Sequence, residues 1–187
     1  MNRRLFGKEA EIVVYDVEPL IAEEMIDACY EEALRLHKIF NFYDSSSELS
    51  ILNKTRSIKA SNELFGVLKE TLKYSKISQG LYDVSLGKHF LQRKLGKPLT
   101  AINCSFEDIE LKDTIIRLNN PEVLVDLGSI AKGFIVDSMI AVMESHGLIS
   151  GFIDARGDMR VFGSHDEIVE VQHPRSPDKI LDRKSVV

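Results

Sequence analysis

The feature that most constrains this chain is a long one-sided stripe near its start. Ile21, Met25, Cys29, Ala33, Leu36 and Phe40 recur three or four residues apart, with Glu23, Glu24, Asp27, Glu31 and Arg35 at other positions. That spacing is one face of an α-helix. A helix with a single apolar face must bury it against another layer, and the run just before it offers one. Residues 9–17 centre on Ile12, Val13, Val14 and Tyr15 and read as a strand, with Glu18 and Pro19 opening the helix. The stripe is therefore core packing, and Cys29 within it reads as a small buried hydrophobe rather than a reactive thiol.

The rest of the chain continues this mixture. Ser45 stands three residues before Glu48, the spacing of a capping box, which predicts a short helix over residues 45–53. A second capped helix is expected from Ser61 or Asn62, carrying Leu64, Leu68 and Leu72 inward and stopping near Gly80. Residues 82–87 read as a turn or short strand, and residues 88–98 as a basic surface stretch. Residues 115–118 and 123–127 read as strands, and residues 129–146 as a helix stopped by Gly147. Short β-type runs at 151–155, 159–163 and 167–172, separated by turn residues, predict antiparallel hairpins. This is an α+β pattern of antiparallel sheets packed with helices. With 187 residues and neither an internal repeat nor a linker, residues 1–187 are expected to form a single domain.

Composition removes several function classes. The chain carries 24 Lys and Arg against 29 Asp and Glu, a net charge of −5, so it offers no broad cationic face for nucleic acid. Its apolar runs fall short of the roughly 20 residues a membrane-spanning helix needs. Residues 1–8 lack the apolar core of a secretory leader, which makes the cytoplasm the default location. Cys29 and Cys104 form no metal-binding pair, and the histidines at 37, 89, 146, 165 and 173 show no paired ligand spacing. The glycine-rich nucleotide loops and the serine-hydrolase elbow are absent from the sequence.

Three segments could carry chemistry. Residues 123–133, VLVDLGSIAKG, run as an apolar strand to Asp126, turn at Gly128 and enter a helix at Ser129. A helix N-terminus with a nearby glycine suits a phosphate, with Lys132 as a point charge and Asp126 and Ser129 as oxygen ligands for Mg²⁺. Taken by spacing alone, an ordinary N-cap with a surface acid and a solvated lysine is the heavier reading. Residues 80–87, GLYDVSLG, bracket an aromatic and an acid between glycines, as a loop against a planar ligand would, although an ordinary turn has the same pattern. Residues 154–158, DARGD, followed by MRVFG at 159–163, fit plain hairpin chemistry.

Read together and in order, FYDSSSELSILN at 42–53, GLYDVSLG at 80–87, DLGSIAKG at 126–133 and GDMRVFG at 157–163 resemble the ApbE family of FAD:protein FMN transferases, over about residues 5–177. The resemblance implies a Mg²⁺-dependent enzyme that moves the FMN half of FAD onto a threonine or serine hydroxyl of a target flavoprotein and releases AMP. In the family pattern Tyr43, Leu81, Tyr82, Asp83, Asp126 and Lys132 lie at FAD-binding positions and Ser129 at a metal-binding one. No catalytic base is implied at a position of this sequence. The family's N-terminal Met-Gly-Thr reads here as Leu5, Phe6, Gly7 and Lys8, and its Gly-Gly-Asp as Arg156, Gly157 and Asp158. The family's later histidine and metal-binding Asp and Thr are not in the sequence, so the domain is expected to be incomplete at its C-terminus. A second chain completing the site, a non-catalytic FAD-binding half and a truncated remnant are the alternatives this leaves.

Overall fold

The β-branched run before the long helix forms a strand because its side chains alternate between two surroundings. Ala10 and Ile12 are buried while Glu9 and Glu11 are exposed, the period of two of a half-buried strand. In the computed structural model, which describes residues 1–155 and 157–186, that strand is β2 (Lys8–Val14). It pairs with β1 (Asn2–Leu5) on one side and β6 (Gly151–Ala155) on the other, and β6 pairs with β7 (Asp158–Phe162). All three pairings are antiparallel, giving the order β1-β2-β6-β7. Leu5, Ala10, Ile12, Ile153 and Ala155 are the buried side chains of this sheet.

Two compact units divide the chain, residues 1–34 with 135–187 and residues 35–134. The first holds this sheet, most of α1 (Pro19–Phe40) and most of α5 (Ala131–Ser145). Met25, Ile26, Cys29 and Ala33 on α1 and Val136, Met139, Ile140 and Met143 on α5 are buried. Ile21 is exposed, so the buried stripe starts one turn later than the sequence pattern suggests. Tyr30 donates to the Arg4 carbonyl at 2.7 Å and Arg3 pairs with Asp27, which fixes α1 to β1. Arg160 and Asp137 link β7 to α5 in the same way. Burial pushes the Cys29 thiol up to about 12, which keeps it protonated and inert as a nucleophile. The unit also carries a separate antiparallel pair, β8 (Glu167–Gln172) and β9 (Ile180–Val186).

The second unit is built on α2 (Glu48–Thr55), β3 (Ser57–Lys59), α3 (Asn62–Ile77), α4 (Gly87–Lys94), β4 (Ile109–Lys112) and β5 (Ile115–Leu118). The three strands form an antiparallel sheet in the order β3-β5-β4. Its buried side chains include Leu49, Leu52, Leu64, Leu68, Ile116, Val125 and Leu127. Ser61 caps α3 as expected, its hydroxyl accepting from the Leu64 amide at 3.1 Å.

Three of the segments read from the sequence fold differently. The capping box at Ser45 does not form, because Asp44 takes the Ser46 amide at 2.8 Å and hydroxyl at 2.7 Å, holding its own carboxyl below the usual range. Ser47 then becomes the cap of α2, accepting from Ser50, and Glu48 reaches forward to the Ser61 amide at 2.6 Å. Residues 88–98 begin with a helix, α4, whose N-cap Leu86 makes no side-chain bond and so left no signal in the sequence. Residues 123–127 are not a ladder strand: they contribute a single isolated bridge, between Leu86 and Leu124.

The cap assignment is testable by urea denaturation. Ser47→Ala is expected to cost about 1 kcal/mol and Ser45→Ala less than about 0.5 kcal/mol. The opposite ranking would show that the helix begins at Ser45.

Candidate functional site

Residues 123–127 alternate in burial, with Val123, Val125 and Leu127 inside, yet have no neighbouring strand to satisfy their backbone. Buried peptide groups need partners, and two distant parts of the sequence supply them. The turn at 84–87 contributes one set: Leu124 donates to the Ser85 carbonyl at 3.0 Å, Gly87 to the Leu124 carbonyl at 2.8 Å, and Asp126 to the Val84 carbonyl at 3.0 Å. The approach is so close that a Cβ on Gly87 would stand 2.5 Å from the Leu124 carbonyl oxygen, which explains the glycine. Asn53 contributes the second set, its side-chain amide donating to the Val125 carbonyl at 2.9 Å and accepting from the Val125 amide at 2.8 Å. Arg56, at the left-handed end of α2, donates to the Val123 carbonyl at 2.8 Å and to that of Asn120.

This stitching brings two of the sequence candidates together. Leu81, Tyr82, Asp83 and Phe90 line one part of a cleft of about 470 Å³, and Asp126, Gly128 and Ser129 line another. Across it the hydroxyls of Tyr82 and Ser129 lie 2.9 Å apart in a hydrogen bond. Leu81, at 94% exposure, and Phe90, at 52%, give the cleft an apolar surface open to a ligand. Asp126 bends back to accept from the Gly128 amide at 2.8 Å, so one carboxylate oxygen shapes the turn ahead of α5 and the other carries charge available to a ligand.

The remaining candidates are placed differently. Asp83 lines the cleft, but its two oxygens accept from the backbone amides of Ser85 at 2.8 Å and Phe106 at 3.0 Å. It holds the loop in shape more than it presents charge. Tyr43 and Lys132 are not among the lining residues. Tyr43 is 56% exposed and lies under the Lys94 ammonium, 3.5 Å from the ring centroid, a cation–π contact. Arg156 lies outside the described residues. Cys104, which does not line the cleft, sits 3.9 Å from the Ser85 carbonyl and hydroxyl, and burial raises its pKa, which favours the thiol over the thiolate.

Asn53 and Arg56 were not singled out in the sequence. Asn53 closes the quoted 42–53 segment, and Arg56 stands just beyond it. Their partners lie 72 and 67 residues away, and no local pattern encodes that. The oxygen donors Asp126, Ser129 and Tyr82 are of the hard type Mg²⁺ takes, but among the described residues no three His, Cys, Asp or Glu side chains converge. A metal here would need a ligand's phosphate oxygens to complete its shell.

The brace predicts a specific instability. Asn53→Ala strands both polar groups of Val125 and should cost about 1–3 kcal/mol in urea melts. A negligible loss would mean that Asn53 does not carry the segment.

The ApbE family model matches residues 6–187. Among curated relatives, the FAD:protein FMN transferase of Treponema pallidum is 23% identical, aligning 85% of this chain with 50% of its own, and that of Vibrio cholerae is 25% identical, aligning 81% with 51%. The chain thus spans about half the length of these relatives. Among solved structures, the ApbE protein of Thermotoga maritima superposes with a TM-score of 0.83 at 20% identity, over all of this chain and 66% of that one. The apo flavinyl transferase ApbE of Pseudomonas stutzeri gives 0.81 at 16% identity, over 97% and 64%. The fold, mixed α and β with antiparallel sheets, is shared with both. The match to the family model across nearly the whole sequence, together with this shared fold, assigns the chain to the ApbE family.

Proposed function

We propose that the chain binds FAD in the cleft between residues 81–90 and 126–129 and takes part in moving FMN from FAD to a threonine or serine hydroxyl of a target flavoprotein. The observation that carries this reading is the convergence of the apolar surface at Leu81 and Phe90 with the Asp126-Gly128-Ser129 turn ahead of α5. An isoalloxazine ring suits the first, and the positive end of the α5 dipole suits a pyrophosphate at the second. The names of the curated relatives, FAD:protein FMN transferase, support the same substrate.

In this reading Leu81, Tyr82 and Asp83 hold the flavin end, Asp83 by shaping the loop, and Asp126 faces the phosphates. Tyr43 and Lys132, which do not line the cleft, are assigned to FAD on the family pattern alone. The acceptor hydroxyl attacks the FMN phosphorus; the new P–O ester bond forms as the bond to the bridging oxygen breaks, AMP leaves with that oxygen, and the hydroxyl proton passes to solvent. Ser129 would help to hold Mg²⁺, which would supply charge neutralisation at the pyrophosphate. Positioning and charge neutralisation then supply most of the rate. A second reading, FAD held without transfer unless a second chain adds ligands, is favoured by the cleft's shortage of carboxylates, since Asp83 is bound by two amides and Asp126 already accepts from one.

One experiment separates these. The purified chain is incubated with FAD and Mg²⁺, with and without an unflavinylated acceptor flavoprotein, ultrafiltered, and both fractions are chromatographed for FAD and AMP. AMP that requires both Mg²⁺ and the acceptor and falls at least about tenfold in Asp126→Ala supports transfer chemistry in this chain. Retained FAD without AMP supports the binding reading. Neither retention nor AMP contradicts both.

A further inference from the structure

A second concavity in the unit of residues 35–134 has no part in the cleft. It is a groove of about 500 Å³ between α3 and β4. Leu72, Ile109 and Leu111 give it an apolar floor, and Ile77, 69% exposed, extends that floor at the last turn of α3. Lys69, Lys73 and Lys76 line it from α3. Lys73 is engaged by Glu70 at 2.8 Å, whereas Lys69 and Lys76 have no acidic partner among the described residues. Two acids on β4 and its approach are committed elsewhere: Glu110 pairs with Arg117 at 4.0 Å, and Asp108 accepts from Ser105 and Asn120. The groove is thus locally cationic on a chain whose net charge is −5.

Its second wall is unusual too. β4 is the outer strand of β3-β5-β4, so part of its backbone N–H and carbonyl groups face away from β5 with no strand beside them. An unpaired edge accepts an extended segment by main-chain hydrogen bonding, with side-chain pockets setting the preference. We propose that this groove docks an extended segment of a partner polypeptide rich in acidic and apolar side chains, added along β4 beneath the α3 lysines. The edge asks for an extended backbone, the floor for apolar side chains and the free lysines for carboxylates, and one occupant satisfies all three.

The groove is also continuous with the cleft along the chain. Three residues, 78–80, separate α3 from Leu81, and β4 follows directly on Phe106–Asp108, whose first amide is held by Asp83. A segment docked here lies against the two elements that carry the cleft's loop. The proposal stands on the groove's own chemistry and does not require that the cleft transfer flavin.

The test uses the full chain and a fluorescein-labelled peptide alternating Glu and Val, read by fluorescence anisotropy, with a Lys and Val peptide as control. The expected result is saturable binding of the acidic peptide only, weakened by salt and about tenfold weaker in the Lys69→Glu/Lys76→Glu variant. Amide shifts at residues 109–112 accompany it, and a thermal melt confirms that the variant is folded. Absence of binding, equal binding of both peptides, or binding unchanged by the double variant overturns the proposal. So does flotation with phosphatidylglycerol vesicles without peptide binding, which would make the groove a membrane contact. A chain that fails to bind FAD still reports on this groove, so the two failures are distinct.

Discussion

Everything at the cleft depends on how an extended, buried segment without a neighbouring strand satisfies its backbone. Val123, Val125 and Leu127 go into the core because they are apolar, which takes the intervening peptide groups out of water. A side-chain amide at Asn53, a guanidinium at Arg56 and the turn at 84–87 replace the missing strand. The consequence for function is geometric. Because the same turn carries Tyr82 and Asp83 and the same segment ends on Asp126, satisfying these hydrogen bonds also sets the two lips of the cleft against each other.

That economy explains which residues tolerate change. Gly87 cannot take a side chain without displacing the Leu124 carbonyl, and Asp83 is tied to two backbone amides. Tyr82 and Ser129, joined only through their hydroxyls, are by contrast free to exchange that bond for a ligand's. The cleft thus combines a rigid frame with a polar contact that a ligand can open, an arrangement suited to a preformed binding site. The groove beside β4 follows a different logic, since the outward edge of β4 has no strand beside it and two of the groove's lysines have no acidic partner among the described residues.

Elements with a strong period or a cap were legible in the sequence. α1, α3 and α5 follow from stripe spacing, Ser61 and Gly147, and the β6 and β7 hairpin from its turn residues. β1, β3, β4 and β9 were not, because three or four residues, or a run of exposed ones, carry too little pattern to stand above a loop. Residues 123–127 show why alternation can mislead: burial alternates whether the backbone bonds to a strand or to an asparagine. At the site, motif resemblance named Tyr82, Asp126 and Ser129, yet the bond between Tyr82 and Ser129 joins residues 47 apart and needed the fold to appear.

The proposed flavin-binding surface spans residues 81–90 and 126–129, and titrating FAD into ¹⁵N-labelled protein while following the backbone amides tests it. Saturable shifts are expected at Tyr82, Gly87, Gly128 and Ser129, with the amides of β6 and β7 unmoved. Shifts confined to other residues, or none at saturating FAD, would contradict it.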